Sequence, residues 1–202
     1  MDPSQGTKCT GSGAQERIVE CSRRLFSEHS FAQVSLKDIA REAGVSVALI
    51  VKHFGNKEGL FEQSLDFTES AAALFGGPFH QIGHAAVTET LTAPFHAPYS
   101  MARTISISSG APASMGAIGR RMKADLLEVL TRRIQEESPA PTSPTQPSAE
   151  LRAQAAVSLL VGLSIMRRFG DVEFAKFSKE ELLAYYSQLL QGIIEGTVPL
   201  PR

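Results

Sequence analysis

The stretch from Ser35 to Leu60, SLKDIAREAGVSVALIVKHFGNKEGL, limits the possible folds of this chain more than any other. It holds two short apolar-rich runs, LKDIAREA and VALIVKHF, parted by Gly44. Helices this short are not stable alone in water, so each must be packed against a neighbour. Ser35, with Asp38 three residues on, is a capping-box start for the first run. Gly44 is the residue that most easily turns the chain at a helix end. Ser46 is placed to cap the second run, and Gly55 and Asn56 end it. The second run is apolar on every side, a pattern normally buried, yet the polar HFGNKE follows at once. Ile39, Ala40, Val45 and Ile50 fall at inward positions, and Ile50 and Phe54, four apart, share a face. Val47, Ala48, Val51 and Lys52 fall on the opposite side. The pattern predicts a helix-turn-helix whose second helix has two apolar faces, one for the core and one for a partner.

The remainder of the chain reads as all-α. Residues 1–13 are small and polar and are expected to be a disordered tail without a signal peptide. Ile18, Val19, Cys21, Leu25 and Phe26 recur at helical spacing over 14–29, and Phe31 and Val34 are expected to plug the core beneath the turn that follows. Asn56 is placed to cap a long fourth helix from Lys57 to about Phe75. Pro94, Pro98 and Pro112 divide 79–114 into two or three short helices, and 113–137 reads as one helix. SPAPTSPTQPS (138–148) has the composition of a mobile loop. Helices over 149–169 and 179–195 follow, the second opened by Ser178 and Glu181. The greasy run at 155–166, twelve residues long, is short of the roughly 20 needed to span a bilayer. Cys9 and Cys21, the only cysteines, are expected to be reduced thiols of a cytoplasmic protein.

A net charge of −1 advertises no global positive field, so any contact with nucleic acid must be local. The outward side of the second short helix suits a DNA groove. Val47, Ala48 and Val51 are placed to touch thymine methyls, and Lys52 to reach a guanine edge or a phosphate. No Arg, Asn or Gln lies on that helix, so readout is expected to lean on methyl contacts and DNA shape. Phosphates would be held at helix starts by Ser35, Ser46 and Lys57, with His53, Lys37 and Arg41 adding contacts or charge nearby.

Over residues 14–62 the chain resembles the tetracycline-repressor (TetR) family of bacterial transcription regulators. Gly44-Val45-Ser46, His53-Phe54, and Lys57-Glu58 with Leu60 stand at the spacing of the family pattern. Where the family usually has a leucine–tyrosine pair this chain has Ile50 and Val51. Ile50 keeps the buried role, but Val51 lacks the hydroxyl that commonly reaches a phosphate. The resemblance implies about nine helices, with a DNA-binding domain over 14–60 and a ligand-binding and dimerisation domain over 61–197. It implies a homodimer formed by the last two helices, with Leu159, Leu163, Met166, Leu182, Tyr186, Leu189 and Ile193 in the interface. Monomeric core is the alternative for each helix taken alone. Two reading helices about one DNA turn apart would require a near-palindromic operator.

The effector site has no motif. Phe95, Tyr99, Met101, Ile105, Met115 and Met122 are apolar candidates for its lining, although each taken singly fits ordinary core better. His80 and His84 share a helical face with His96 near in sequence, but no carboxylate or cysteine joins them at ligand spacing, so no metal is expected. No Gly-x-Ser-x-Gly elbow or dinucleotide loop is present, and neither an enzyme nor a cofactor is expected. The expected function is a cytoplasmic, ligand-responsive repressor that binds double-stranded operator DNA as a homodimer and is released by a small molecule, with no membrane partner. The alternative is a helix-turn-helix interaction protein that no longer binds DNA.

Overall fold

The computed structural model of the chain describes residues 13–93, 112–138, 146–168 and 174–198. Among them the regular structure is entirely helical. The helices are α1 (Ala14–Glu28), α2 (Leu36–Ala43), α3 (Val47–Phe54), α4 (Lys57–Ser64), α5 (Thr68–Phe75), α6 (Ile82–Thr92), α7 (Pro112–Met122), α8 (Glu128–Glu137), α9 (Ala149–Arg168) and α10 (Lys179–Glu195). A π-helical turn, Lys123–Leu127, precedes α8, and short 3₁₀ turns lie at Phe79–Gln81 and Phe174–Lys176. The described residues within 1–66 and 103–121 pack as one compact unit, and those within 67–102 and 122–202 as another.

The first unit is built on an aromatic cluster. Phe26 of α1 and Phe61 of α4 meet edge to face at 4.8 Å, and Phe31, in the turn after α1, lies 5.0 Å from Phe61 and stacks on Phe26 at 5.8 Å. Ile18, Ile39, Ile50 and Leu60 are fully buried around it. Phe31 and Val34 plug the core as their apolar character requires. Polar pairs brace the outside: Arg24 of α1 bonds Glu42 of α2, and Arg120 of α7 bonds Glu62 of α4 at 2.7 Å. Arg23 of α1 donates to the Ser64 carbonyl at the end of α4. Cys21 is fully buried and disulfide-bonded, where a reduced thiol was expected. Its partner sulfur lies outside the described residues.

The long fourth helix expected over 57–75 is two helices. At Leu65 the backbone turns extended (φ −78°, ψ 141°), and helix resumes only at Thr68. The buried amide of Phe67 donates to the buried carboxylate of Asp125 at 3.0 Å instead of continuing the helix ladder. A uniform helical pattern across 57–75 gives no hint of that long-range bond. Over 112–137 the chain is helical as expected, apart from the π turn. Pro112, at the first position of α7, fits a helix start because its missing N–H would be unpaired there anyway.

In the second unit, three arginines serve the carboxyl ends of other helices. Arg133 of α8 donates to the carbonyls of Phe75 and Gly77 at the end of α5. Arg152 of α9 bonds the Ile194 carbonyl of α10 at 2.9 Å, and Arg167 of α9 bonds the Leu91 and Ala93 carbonyls after α6. Each guanidinium satisfies carbonyls that the helix itself leaves open and complements the negative end of its dipole. Burial holds the pKa of Arg152 and Arg167 below the usual arginine range. The stretch Ala149–Arg167 of α9 is apolar and long enough, by composition alone, to cross a membrane. Its buried face instead packs in this unit against α6, α8 and α10, with Arg152 buried on it.

The tightest crossing is α6 on α10, at Gly83. A Cβ there would stand 2.4 Å from the Ser187 carbonyl oxygen and 2.8 Å from Cβ of Gln191. Gln191 exploits the approach: its Oε1 accepts from the Gly83 amide at 2.8 Å, and its Nε2 donates to the Phe79 carbonyl. Gly83→Ala should therefore destabilise the protein by about 1–3 kcal/mol in urea unfolding, because the helices must part. Gly119→Ala, on α7 where a Cβ meets nothing within 4 Å, should stabilise it by about 0.5–1 kcal/mol.

Candidate nucleic-acid interface

The geometry of α2 and α3 follows from their caps. Ser35 Oγ accepts from the Asp38 amide at 3.2 Å, and the Asp38 carboxylate accepts from the Ser35 amide at 3.1 Å, closing the box. The Ser35 hydroxyl also donates to Asp38 at 2.5 Å, and Arg41 donates to its other oxygen at 3.0 Å. These bonds from Ser35, with the Arg41 charge, hold the Asp38 carboxyl below the usual carboxylate range. The box thus strengthens α2 at neutral pH, and its contribution is lost as pH falls through that lowered pKa. Gly44 ends α2 in the left-handed region (φ 64°), and its amide bonds the carbonyls of Ala40 and Arg41. Ser46 Oγ then accepts from the Leu49 amide at 3.2 Å and starts α3.

So started, α3 buries Ile50 completely and Phe54 almost so, and its opposite side is left to solvent. Ala48, Val51, Lys52 and His53 are exposed, Val51 at 44%, and Val47 is half-buried at the edge. The expected division of this helix into an inward and an outward apolar face is what the structure contains. Lys37 is exposed on the first turn of α2. The Ser35 hydroxyl proton, however, is engaged by Asp38, so a phosphate at this end would meet the first-turn amides of α2 and Lys37 before it met Ser35.

Lys57 differs from a solvated charge. Its Nζ lies 4.3 Å from the centroid of the Phe31 ring, a cation–π contact that ties the start of α4 to the aromatic cluster. Burial pushes its pKa down, with the Glu58 charge working against that shift. Asn56 caps the same helix, its Oδ1 accepting from the Gly59 amide at 2.8 Å. The Lys57–Phe31 contact escapes a pattern reading because the two residues are separated by the whole helix-turn-helix.

Elsewhere the candidate positions divide. Phe95, Tyr99, Met101 and Ile105 lie outside the described residues, as does His96. Met115 is exposed on α7 and Met122 is half-buried. On α9, Met166 is exposed and Leu159 half-buried, whereas Leu163, at 3% exposure, is core of its own unit rather than surface. Leu182, Tyr186, Leu189 and Ile193 of α10 are half-buried. Leu182 and Tyr186 border an apolar surface groove with Phe174, Phe177 and Tyr185. Among the described residues no group of three or more His, Cys, Asp or Glu side chains is placed to hold a metal ion.

A capped, glycine-turned pair of short helices, with the second presenting one side to solvent on an all-helical chain, defines a helix-turn-helix protein. Comparison with known proteins makes the class specific. Residues 18–63 match the bacterial regulatory proteins of the tetR family, and residues 81–194 match the tetracyclin repressor-like C-terminal domain. The chain belongs to the TetR family.

Among curated proteins it is 48% identical over 54 residues to the HTH-type transcriptional regulatory protein RaaS of Mycobacterium tuberculosis, covering 27% of this chain and 25% of that one. It is 24% identical to the HTH-type transcriptional regulator BetI of Agrobacterium fabrum, over 90% of each chain. Among solved structures, a TetR-family regulator of Streptomyces coelicolor A3 is 26% identical with a TM-score of 0.54, covering 94% of this chain and 99% of that one. The chain thus spans only about a quarter of the length of RaaS.

Gly44→Ala should cost about 1–2 kcal/mol in urea unfolding, since an L side chain strains the left-handed turn. Gly44→Asn should cost less, because Asn tolerates that region.

Proposed function

We propose that this chain is a ligand-responsive transcription regulator that binds double-stranded operator DNA through α3. The observation that carries this is the outward side of α3: an apolar strip exposed to solvent, with Lys52 and His53 at its end and Lys57 opening the next helix. Membership of the TetR family supports the same conclusion. Lys37, Ser46, Lys52, His53, Lys57 and the first-turn amides of α2 hold phosphates and set register, while Val47, Ala48 and Val51 face the bases. Val51, standing where the family usually has tyrosine, supplies no phosphate contact.

The protein acts as a homodimer through α9 and α10, using Met166, Leu159, Leu182, Tyr186, Leu189 and Ile193, so its operator is near-palindromic. A small molecule held by the C-terminal domain weakens operator binding, which makes the protein a repressor working in the cytoplasm. Phe95, Tyr99, Met101, Ile105, Met115 and Met122 are the candidates for its lining. Because α4 stops at Ser64, no single rod from Lys57 to Phe75 can carry the signal. The Arg120–Glu62 pair gives α7 a direct hold on α4 and is the better candidate for a relay. A coupling of about 1–3 kcal/mol is enough for such a switch.

The second possibility, a helix-turn-helix that docks another protein, draws on the missing tyrosine at Val51 and on the balanced charge of the first sixty residues. Salt dependence separates the two. A DNA-binding chain should bind duplex selected from a randomised pool with log K falling linearly in log salt. Lys52→Ala and Lys57→Ala should each reduce that slope by about 0.9 if the residue neutralises one phosphate. An unchanged slope removes that lysine from the interface, and no complex with any duplex in dilute buffer removes the proposed function.

A further inference from the structure

The outward side of α3 restricts which DNA it can read. Val47 and Val51 are one turn apart on the same side, with Ala48 exposed beside them. Four residues at a rise of about 1.5 Å separate the two valines by about 6 Å along the helix axis. That is close to two base steps of a duplex, each about 3.4 Å. From Val47 to Phe54 the helix has no Arg, Asn or Gln, the side chains that read guanine or adenine edges through two hydrogen bonds at once. Two guanidinium groups of the same unit are engaged by carboxylates, Arg24 by Glu42 and Arg41 by Asp38. Lys52 is the cation on this side of α3, and a single flexible ammonium does not make a bidentate contact.

Short alkyl groups recognise one feature of the major groove, the C5-methyl of thymine. Leaving such a strip in water costs the protein apolar exposure that methyl contact would relieve. We infer that Val47, Ala48 and Val51 read thymine methyl groups, so that each operator half-site is specified by thymines about two steps apart rather than by guanine edges. This rests on the DNA-binding function proposed above and adds the chemistry of the base that is recognised.

The test uses the full chain and a duplex selected from a randomised pool. Replacing a thymine by deoxyuridine deletes the methyl and nothing else. At each contacted thymine the affinity should fall roughly three- to fivefold, the value of one buried methyl, and elsewhere it should not change. Val51→Ala should weaken binding to the thymine duplex by a similar factor and leave binding to the matching uracil duplex unchanged. Because Val51 is exposed, the variant should keep the parent's Tm, which a melting curve checks. Replacing guanines by 7-deazaguanine, which removes the N7 acceptor, should alter affinity less than about twofold.

The inference is overturned if every uracil duplex binds as tightly as its parent, if Val51→Ala weakens both duplexes equally, or if 7-deazaguanine abolishes binding. Failure to bind any duplex in dilute buffer overturns the proposed function together with it. Binding that persists through all the base changes overturns methyl reading alone.

Discussion

Burial of Ile50 and Phe54 on one side of α3 decides what the other side of that helix can do. A helix of eight residues does not hold itself together in water, and two large side chains fully or almost fully buried contribute roughly 1.5–3 kcal/mol each. Once those two are seated, the rotational setting of α3 is fixed, and Val47, Ala48, Val51 and Lys52 can only face outward. The caps reinforce that setting. Gly44 bends the chain through a conformation that other residues resist, and Ser46 takes the Leu49 amide, so α3 begins at one defined residue. The exposed strip of α3 is therefore a by-product of core packing.

The unit that contains α3 is itself held by aromatic packing. Phe26, Phe31 and Phe61 join α1, the following turn and α4, and Lys57 closes the group by lying on the Phe31 ring. One residue thus serves two ends: the Lys57 stem and charge stabilise the cluster, and its position at the start of α4 places a cation beside the exposed end of α3. Partial burial lowers the affinity of its amine for a proton, while the Glu58 charge favours the charged form. In the second unit the comparable role falls to arginines, each donating to the carbonyl end of a neighbouring helix. There the polar groups secure helix ends.

Much of this was legible in the sequence because it is local. The Ser35–Asp38 and Ser178–Glu181 boxes, the Gly44 turn, the Ser46 and Asn56 caps, and the 3.6-residue spacing that buries Ile18, Ile39 and Ile50 all depend on residues close in the chain. What the pattern concealed depends on distant partners. The break between Ser64 and Thr68 is marked by a bond from Phe67 to Asp125, far along the chain, and nothing in the local periodicity signals it. The close crossing at Gly83 is likewise a product of tertiary approach. Ser35 shows a subtler limit. Its type and place suit a phosphate contact, but the side chain that completes its cap also takes its proton. The effector site was the least legible, since apolar residues that line a cavity and those that fill a core obey one and the same pattern.

Side-chain solvent accessibility in the complex gives the most direct test. Hydroxyl-radical labelling of the free protein and of its complex with a selected duplex compares Val51 with Tyr185, both exposed in the free chain. If α3 enters the groove, oxidation of Val51 and His53 should fall severalfold on binding while Tyr185 keeps its rate. Equal labelling of Val51 with and without DNA would show that another surface holds the duplex and would contradict the account.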